Sequence, residues 1–422
     1  MAIQADLLSI AYGLAAIFFN PLLYLFLFFI YLHYRRQMNL ERQLFAVRIQ
    51  SPLLQTIRSA GMGIAAGVLI SLLAGALGIV VQVQDLWLLW GLAVVMALIR
   101  LRFLCFAYAA GVLTLVSGIA QLLPAWNQAP VIGPLWELFG QAKPLPLLAL
   151  VAIMHLMEAM LIRWNGGRDA SPLFVEGKRG RIVGAYLLHS FWLTPLVLFV
   201  QMDNGAVSGA LYPGWPLFWP EATSFGLMFL PTVTGFSDMT QSMTPRRKSS
   251  RIAKQLALYS LVLLALTVLT VWVPALLLVT GLFALAGHEG LFFLSRMQEQ
   301  RQPPYFIQSP QGVKVMGVIP GTRAEEIGIV PGEIIVKVNG INVRNKEDLY
   351  PALQANSAFC KMEVLTHGGE LKFVQCAVYA GNHHQLGIIV VPDANTRVYV
   401  DLMRSSVVEL IRQRLEKLHI GA

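Results

Sequence analysis

Long apolar runs constrain this chain more than any other feature. They lie at 7–33, 61–82, 103–123, 145–162, 182–202, 255–273 and 275–294, with a shorter one at 86–99. A run of roughly 20 apolar residues matches the ~30 Å hydrocarbon core of a bilayer. No water reaches a backbone amide inside lipid, so a spanning segment must satisfy its hydrogen bonds internally. Each run is therefore read as a helix, which makes eight segments. A ninth stretch, "GWPLFWPEATSFGLMFLPTVTGF" (214–236), contains Pro216, Pro220, Glu221 and Pro231. It reads equally as a re-entrant or broken helix and as a full span.

Composition agrees. Only 13% of the residues are charged and 56% are hydrophobic, whereas soluble domains carry about 25% charged residues. The net charge of +9 is unevenly placed: residues 1–302 hold 20 Lys/Arg against 12 Asp/Glu, and residues 303–422 hold 12 against 11. The excess sits in short loops between apolar runs. That pattern marks membrane orientation, not a nucleic-acid-binding face. The first run is too long for a signal-peptide core and lacks a basic flank, so no cleavable signal is expected. Three cysteines, Cys105, Cys360 and Cys376, fit neither a disulfide framework nor a zinc spacing, and a reducing cytosol suits the last two.

The basic loops set the orientation. Arg35, Arg36, Arg42, Arg48 and Arg58 come after the first run, Arg100 and Arg102 after the third, and Arg163, Arg168, Lys178, Arg179 and Arg181 after the fifth. Arg246, Arg247, Lys248, Arg251 and Lys254 precede the final pair, and Arg296 lies just past it. Basic loops stay cytoplasmic, so the N-terminus is expected outside. Of the 20 basic residues before 303, only Lys143 then falls in an outer loop. The basic stretch 246–254 requires one more crossing after 182–202, which favours a crossing by 214–236. The hairpin 255–294 is basic at both ends, so the chain beyond Arg296 is expected in the cytoplasm.

From 312 onward the pattern changes to short β-rich runs with turn residues. "GVKVMGVIP" (312–320) alternates like a strand, and "GTRAEEIGI" (321–329) reads as a short helix closed by Gly328. "EIIVKVNG" (333–340) is a strand ending in an Asn-Gly turn. "NKEDLYPALQ" (345–354) reads as a helix capped by Asn345 with Asp348 at its third position, and Pro351 predicts a kink or a later start. "KMEVLTHGGELKFVQC" (361–376) is a hairpin turning at Gly368–Gly369. Together "VIPGTRAEEIGIVPGEIIVKVNGINV" resembles the core signature of a bacterial PDZ domain, with Arg323 where a Pro is common and Glu333 where an Asp is common.

The resemblance implies a module that binds a peptide as an added strand beside its own edge strand. The peptide carboxylate is held by amides of a Φ-G-Φ loop, which act like a nest. "PPYFIQSP" before Gly312 lacks that glycine, but "HHQLGIIVV" (383–391) comes after the hairpin. The order implies a circularly permuted PDZ domain that supplies its groove strand last. Gln385, Leu386, Gly387 and Ile388 would form the loop and edge, with Tyr350, Leu353 and Gln354 on the helix opposite. An ordinary edge strand without a ligand is the alternative. Residues 396–420 carry Val400, Met403, Val407, Ile411, Leu415 and Leu418 at helical spacing. They read as an amphipathic helix that packs on the PDZ domain, associates with itself or a partner helix, or lies on anionic lipid. The domains are 1–302 polytopic, 303–394 PDZ, and 395–422 the terminal helix.

Catalytic constellations are missing from the sequence. An intramembrane metalloprotease needs H-E-x-x-H. The nearest approach is His155 and Glu158 in "MHLMEAM", with His189 the only other obvious ligand in a span. His155 and Glu158 read as a hydrogen-bonded structural pair, with a metal or proton role as the alternative. There is no GxSxG, and "GGR" (166–168) is no phosphate loop. No cofactor is expected. The rival readings are a PDZ-containing intramembrane protease or its regulatory subunit, and a transporter-like protein with a regulatory PDZ domain.

The whole layout resembles the MinJ family of cell-division topological determinants. Besides the PDZ signature, the likeness rests on "NPLLY" in the first run, on "HLMEAMLIRWNGG" and on "SPLFVEGKRGRIVGAYLLHSFWLTPL" (171–196). It implies a non-enzymatic plasma-membrane adaptor at septa and poles. It would bridge a DivIVA-like polar scaffold to the division inhibitors, a MinD-like ATPase and MinC, with divisome proteins as further partners, homo-oligomerisation open and no nucleic acid.

Overall fold

The computed structural model describes residues 19–177, 180–202, 207–356, 358–377 and 386–400. "NPLLY" opens the first described helix, α1 (Pro21–Phe45). The Asn20 side chain accepts from the Leu22 amide at 3.0 Å and Pro21 takes the first position, where its missing N–H costs nothing. Residues 7–18 of the first apolar run lie outside the described part. Six further apolar runs fold as helices, with shifted ends: α2 (Pro52–Ala76), α3 (Val83–Ile99), α4 (Phe106–Leu122), then, after the short α5 (Gly133–Gln141), α6 (Pro144–Asn165), and later α7 (Pro245–Trp272) and α8 (Leu277–Arg301). Among the described residues, four helices are long and apolar enough to cross a membrane: Pro52–Ala76, Pro144–Asn165, Pro245–Trp272 and Pro274–Arg301. α3 and α4 are apolar but shorter. In α6, 78% of the most apolar window is buried, against 17–33% in the other three, so α6 is the axis around which the bundle packs.

The run 182–202 is not a helix. It forms β3 (Ile182–Gln201), and the expected ninth span becomes a loop leading into β5 (Ser224–Thr240). These two strands pair antiparallel from Tyr186↔Thr240 to Gln201↔Phe225. Small flanking strands complete the sheet: β1 (Val80–Val81), β2 (Ser171–Glu176) and β4 (Val207–Ser208). The reading failed because an apolar run buried on both faces shows no alternation, and period alone cannot tell such a strand from a helix. The prolines carried the signal. Inside a helix each would cost about 3 kcal/mol; here Pro195 lies opposite Pro231. Beside them the Thr232 hydroxyl donates to the Thr194 carbonyl at 2.6 Å. The segment expected to cross back before the 246–254 loop is thus largely a strand, and it brings Thr240 back beside Tyr186.

An apolar strand leaves a row of unpaired backbone groups along its edge. α2 covers that row with small residues four apart: Ser59, Gly63, Gly67 and Ser71. They meet every second residue of β3. The Ser59 hydroxyl donates to the Phe191 carbonyl, and Ser71 Oγ accepts from the Val197 amide at 2.9 Å. A methyl group at Gly63 would lie 2.2 Å from the Leu193 oxygen, and one at Gly67 2.3 Å from the Pro195 oxygen. The repeats nearly match: four helical residues rise about 6 Å and two strand residues about 6.7 Å. Helix and strand backbones therefore touch over three intervals before drifting out of step.

After α8 comes a second core. It contains β6 (Val313–Val318), α9 (Arg323–Glu326), β7 (Ile334–Val338), β8 (Ile341–Asn342), α10 (Lys346–Gln354), β9 (Phe359–Leu365), β10 (Leu371–Ala377) and β11 (Ile388–Val390). The sheet order is β10-β9-β7-β6-β11, with β8 on β7. Local expectations hold. Gly328 is left-handed just past α9, and Asn339 and Gly340 are both left-handed between β7 and β8. Asn345 and Asp348 form a reciprocal capping box. α10 starts at Lys346 rather than later and continues past Pro351. The terminal helix does not begin at 396. Thr396 is turned back on Asp393, and the Val400 amide donates to the Phe174 carbonyl at 2.8 Å, placing Val400 beside Val175 of β2. Residues 401–422 of that expected helix lie outside the described part.

Candidate functional site

β11 is the last strand of its sheet. Its register on β6 pairs Ile388 with Val318 and Ile389 with Gly317, and the Ile319 amide donates to the Gly387 carbonyl at 2.8 Å. Antiparallel pairs alternate between bonded and non-bonded. Gly387 meets Ile319 through its carbonyl alone and Ile389 takes the next bonded position, opposite Gly317, so Ile388 stands at a non-bonded one. Its N–H and C=O point away from β6, toward an edge with no further strand among the described residues. The carbonyls of Leu386 and Gly387 are taken by the Ala324 and Ile319 amides, while among the described residues their own amides find no backbone acceptor.

Gly387 is required by two independent constraints. Its φ of +84° is the left-handed region, and a Cβ there would lie 2.1 Å from Thr322 Oγ1. A bulky substitution at 387 therefore disrupts the loop as well as any ligand contact. Leu386 is a core side chain of the module, so it offers the edge its amide rather than its side chain. Ile388 and Leu353 are half-buried against the same core. Tyr350 and Gln354 are exposed on α10. Gln385 lies outside the described residues. The Glu347 carboxylate on α10 accepts from Asn395 Nδ2 at 3.1 Å, which ties the helix to the chain leaving β11.

The two faces of β11 have different fates. Ile388 and Val390 turn into the module's core, whereas Ile389 and Val391 join Phe174, Tyr186, Leu188, Phe306 and Met316 in a cluster shared with the long hairpin. The Tyr186 hydroxyl donates to the Met316 carbonyl, and the Gly184 amide to the Phe306 carbonyl at 2.9 Å. A side chain at Gly184 would strike Phe306 Cβ at 2.8 Å and Met316 Sδ at 2.9 Å. The module is seated by one face, and its outer strand edge stays clear of that seat. Sequence reasoning missed this seat because Gly184 and Tyr186 sat inside a run taken for a helix.

A family model for the PDZ domain matches residues 314–365. The "Cell division topological determinant MinJ" of Bacillus subtilis (strain 168) is 32% identical over 387 residues, covering 89% of this chain and 93% of that protein. The chain belongs to the MinJ family. A second member, "Probable cell division topological determinant MinJ" of Lacticaseibacillus paracasei, is 28% identical over 257 residues, covering 58% of this chain and 65% of that protein. Among solved structures, the PDZ domain of an SdrC-like protein from Listeria monocytogenes matches 19% of this chain and 90% of that chain, at 16% identity and a TM-score of 0.17. This MinJ-family chain thus joins a bundle of apolar helices to a PDZ domain, and its sequence relatives are named for cell division.

The polar pair His155 and Glu158 is arranged otherwise than expected. His155 does not bond Glu158: its Nδ1 lies 2.8 Å from the Val151 carbonyl oxygen and its Nε2 3.2 Å from Cys105 Sγ. His189 is remote from that group and bonds His33 instead, at 3.2 Å. Although the two share a helix face, His155 has no nitrogen left for Glu158, because one takes the carbonyl a turn earlier and the other turns to Cys105.

Proposed function

We propose that the protein is a non-enzymatic membrane adaptor in division-site selection that recruits cytosolic tails by strand addition to β11. One observation carries this reading: the outward N–H and C=O of Ile388, beside the Leu386 and Gly387 amides that find no backbone acceptor among the described residues, on a module already seated by its other face. A partner strand would pair with Ile388, and its terminal carboxylate would meet the loop amides. The helices anchor the module in the plasma membrane, with the basic loops and the PDZ domain cytoplasmic. The family suggests the partners: a DivIVA-like polar scaffold on one side and a MinD-like ATPase on the other, with localisation at septa and poles. Residues 303–394 act as the recruiting domain and 395–422 as a terminal segment.

The test is Ile388→Pro. Proline is tolerated at an edge position whose N–H faces outward, so this change deletes the outward donor and leaves the β6 ladder. Full-length Ile388→Pro should lose at least ten-fold in co-purification of the DivIVA-like or MinD-like partner, whereas Ile388→Ala, which gives up the same half-buried core contacts but keeps the N–H, should not. Undiminished co-purification would remove the edge from the mechanism. A fluorescent fusion tests the adaptor reading separately, since uniform membrane staining would overturn it.

A further inference from the structure

Three soft donors converge inside the helical bundle. Cys105 stands at the start of α4, His155 on α6 and His288 on α8, and their ligating atoms all lie within 4.8 Å of one another. Cys105 Sγ is 3.2 Å from His155 Nε2 and 3.6 Å from His288 Nε2. A metal held at about 2.3 Å from sulfur and about 2.0 Å from nitrogen, with tetrahedral angles, sets sulfur and nitrogen about 3.5 Å apart. The observed separations bracket that value.

One of the two histidines is held for this task. A carbonyl can only accept, so His155 Nδ1 carries the ring proton and donates to Val151. Nε2 is then a lone pair aimed at the sulfur. Fixing the outer nitrogen in this way is the usual support for a metal-binding histidine. The His155 and His288 rings meet nearly edge-on, 5.2 Å apart at 83°. Tyr108 and Tyr259 pack around them. Neighbouring charge is already engaged. Glu289 accepts from Arg102 at 2.6 Å and from Tyr108 at 2.7 Å, so it is not left to balance the cluster.

We infer that Cys105, His155 and His288 form a binding site for a thiophilic d10 metal ion, zinc(II) or copper(I), which staples α4, α6 and α8. On binding, the Cys105 S–H bond breaks, a sulfur–metal bond forms and the proton leaves to solvent. Three protein ligands complete a trigonal set for copper(I) and leave one tetrahedral position for zinc(II). This inference stands apart from the adaptor reading, because it concerns the bundle and not the PDZ edge.

The experiment uses untagged full-length protein in detergent, loaded separately with zinc(II), with copper(I) under reducing conditions, and with cobalt(II) as a spectroscopic substitute. Expected are about one zinc or copper per chain after gel filtration and a thiolate-to-cobalt charge-transfer band. Cys105→Ser and His288→Gln should each lower the retained metal at least ten-fold, while His367→Gln, in the PDZ domain, should not. Wild-type protein that retains neither metal and shows no cobalt–thiolate band overturns the site, whether or not the variants fold. Metal retained equally by Cys105→Ser also overturns it.

Discussion

Replacing Gly63 by alanine tests the helix–strand seam on which the hairpin depends. The added methyl would stand 2.2 Å from the Leu193 carbonyl oxygen, a backbone atom with no freedom to swing aside. Reaching an ordinary contact requires the seam to open by about 1 Å, and such overpacking costs roughly 1–3 kcal/mol. The flanking bonds cannot adjust. The Val197 amide, 2.9 Å from Ser71 Oγ, would be carried beyond bonding distance, as would the Phe191 carbonyl from Ser59. Each lost bond adds about 1 kcal/mol. Removing a helical glycine returns up to about 1 kcal/mol, so the net expectation is a loss of about 2–4 kcal/mol. Gly61 is the control. It lies two residues away on the same helix, and a Cβ there meets nothing within 4 Å. Gly61→Ala should be neutral or stabilising by about 0.5–1 kcal/mol. The assay is denaturant unfolding of purified full-length protein in detergent, monitored by tryptophan fluorescence, since Trp192 is buried in the hairpin. Equal midpoints for the two variants would refute the seam.

Two other perturbations have defined outcomes. Lys248 is 1% exposed and contacts Glu299 at 2.9 Å, Asp238 at 3.3 Å and Ser295 at 2.8 Å, joining α7, β5 and α8. Lys248→Met leaves two carboxylates without their cation and should cost about 3–5 kcal/mol in the same unfolding assay, whereas Lys254→Met, on an exposed position, should change it by less than about 1 kcal/mol. In the PDZ core, burial pushes the Cys360 thiol up to about 12, with Cys376 directly across the hairpin adding to the shift. At pH 8 only about one part in ten thousand is then thiolate, so iodoacetamide should leave Cys360 unmodified in folded protein and label it on unfolding. Rapid labelling of the folded protein, read by peptide mass spectrometry, would contradict that burial.

Much of the PDZ module was legible from residues alone, because its turns depend on residues with particular backbone demands. Gly328 ends a helix, Asn339–Gly340 closes a hairpin, and Asn345 with Asp348 starts a helix. Such features act within a few residues, so no distant contact is needed to recognise them. The apolar helices were legible for a similar reason, since length and composition are local. Their exact starts were not: the described part of the first run begins its helix at Pro21, behind the Asn20 cap.

What only the tertiary structure decided was partnership. β3 reads as apolar throughout because α2 covers its edge and core packs on both of its faces, which erases the alternation that would have revealed a strand. The serines and glycines of α2 look like an ordinary small-residue stripe until Phe191, Leu193, Pro195 and Val197 are laid along it. Cys105, His155 and His288 are separated by 50 and 133 positions, and no spacing rule joins residues on three helices. The free edge of Ile388 likewise depends on which residue of β6 lies opposite. In each case the chain supplied groups able to bond, and the packing of distant segments chose which of them met.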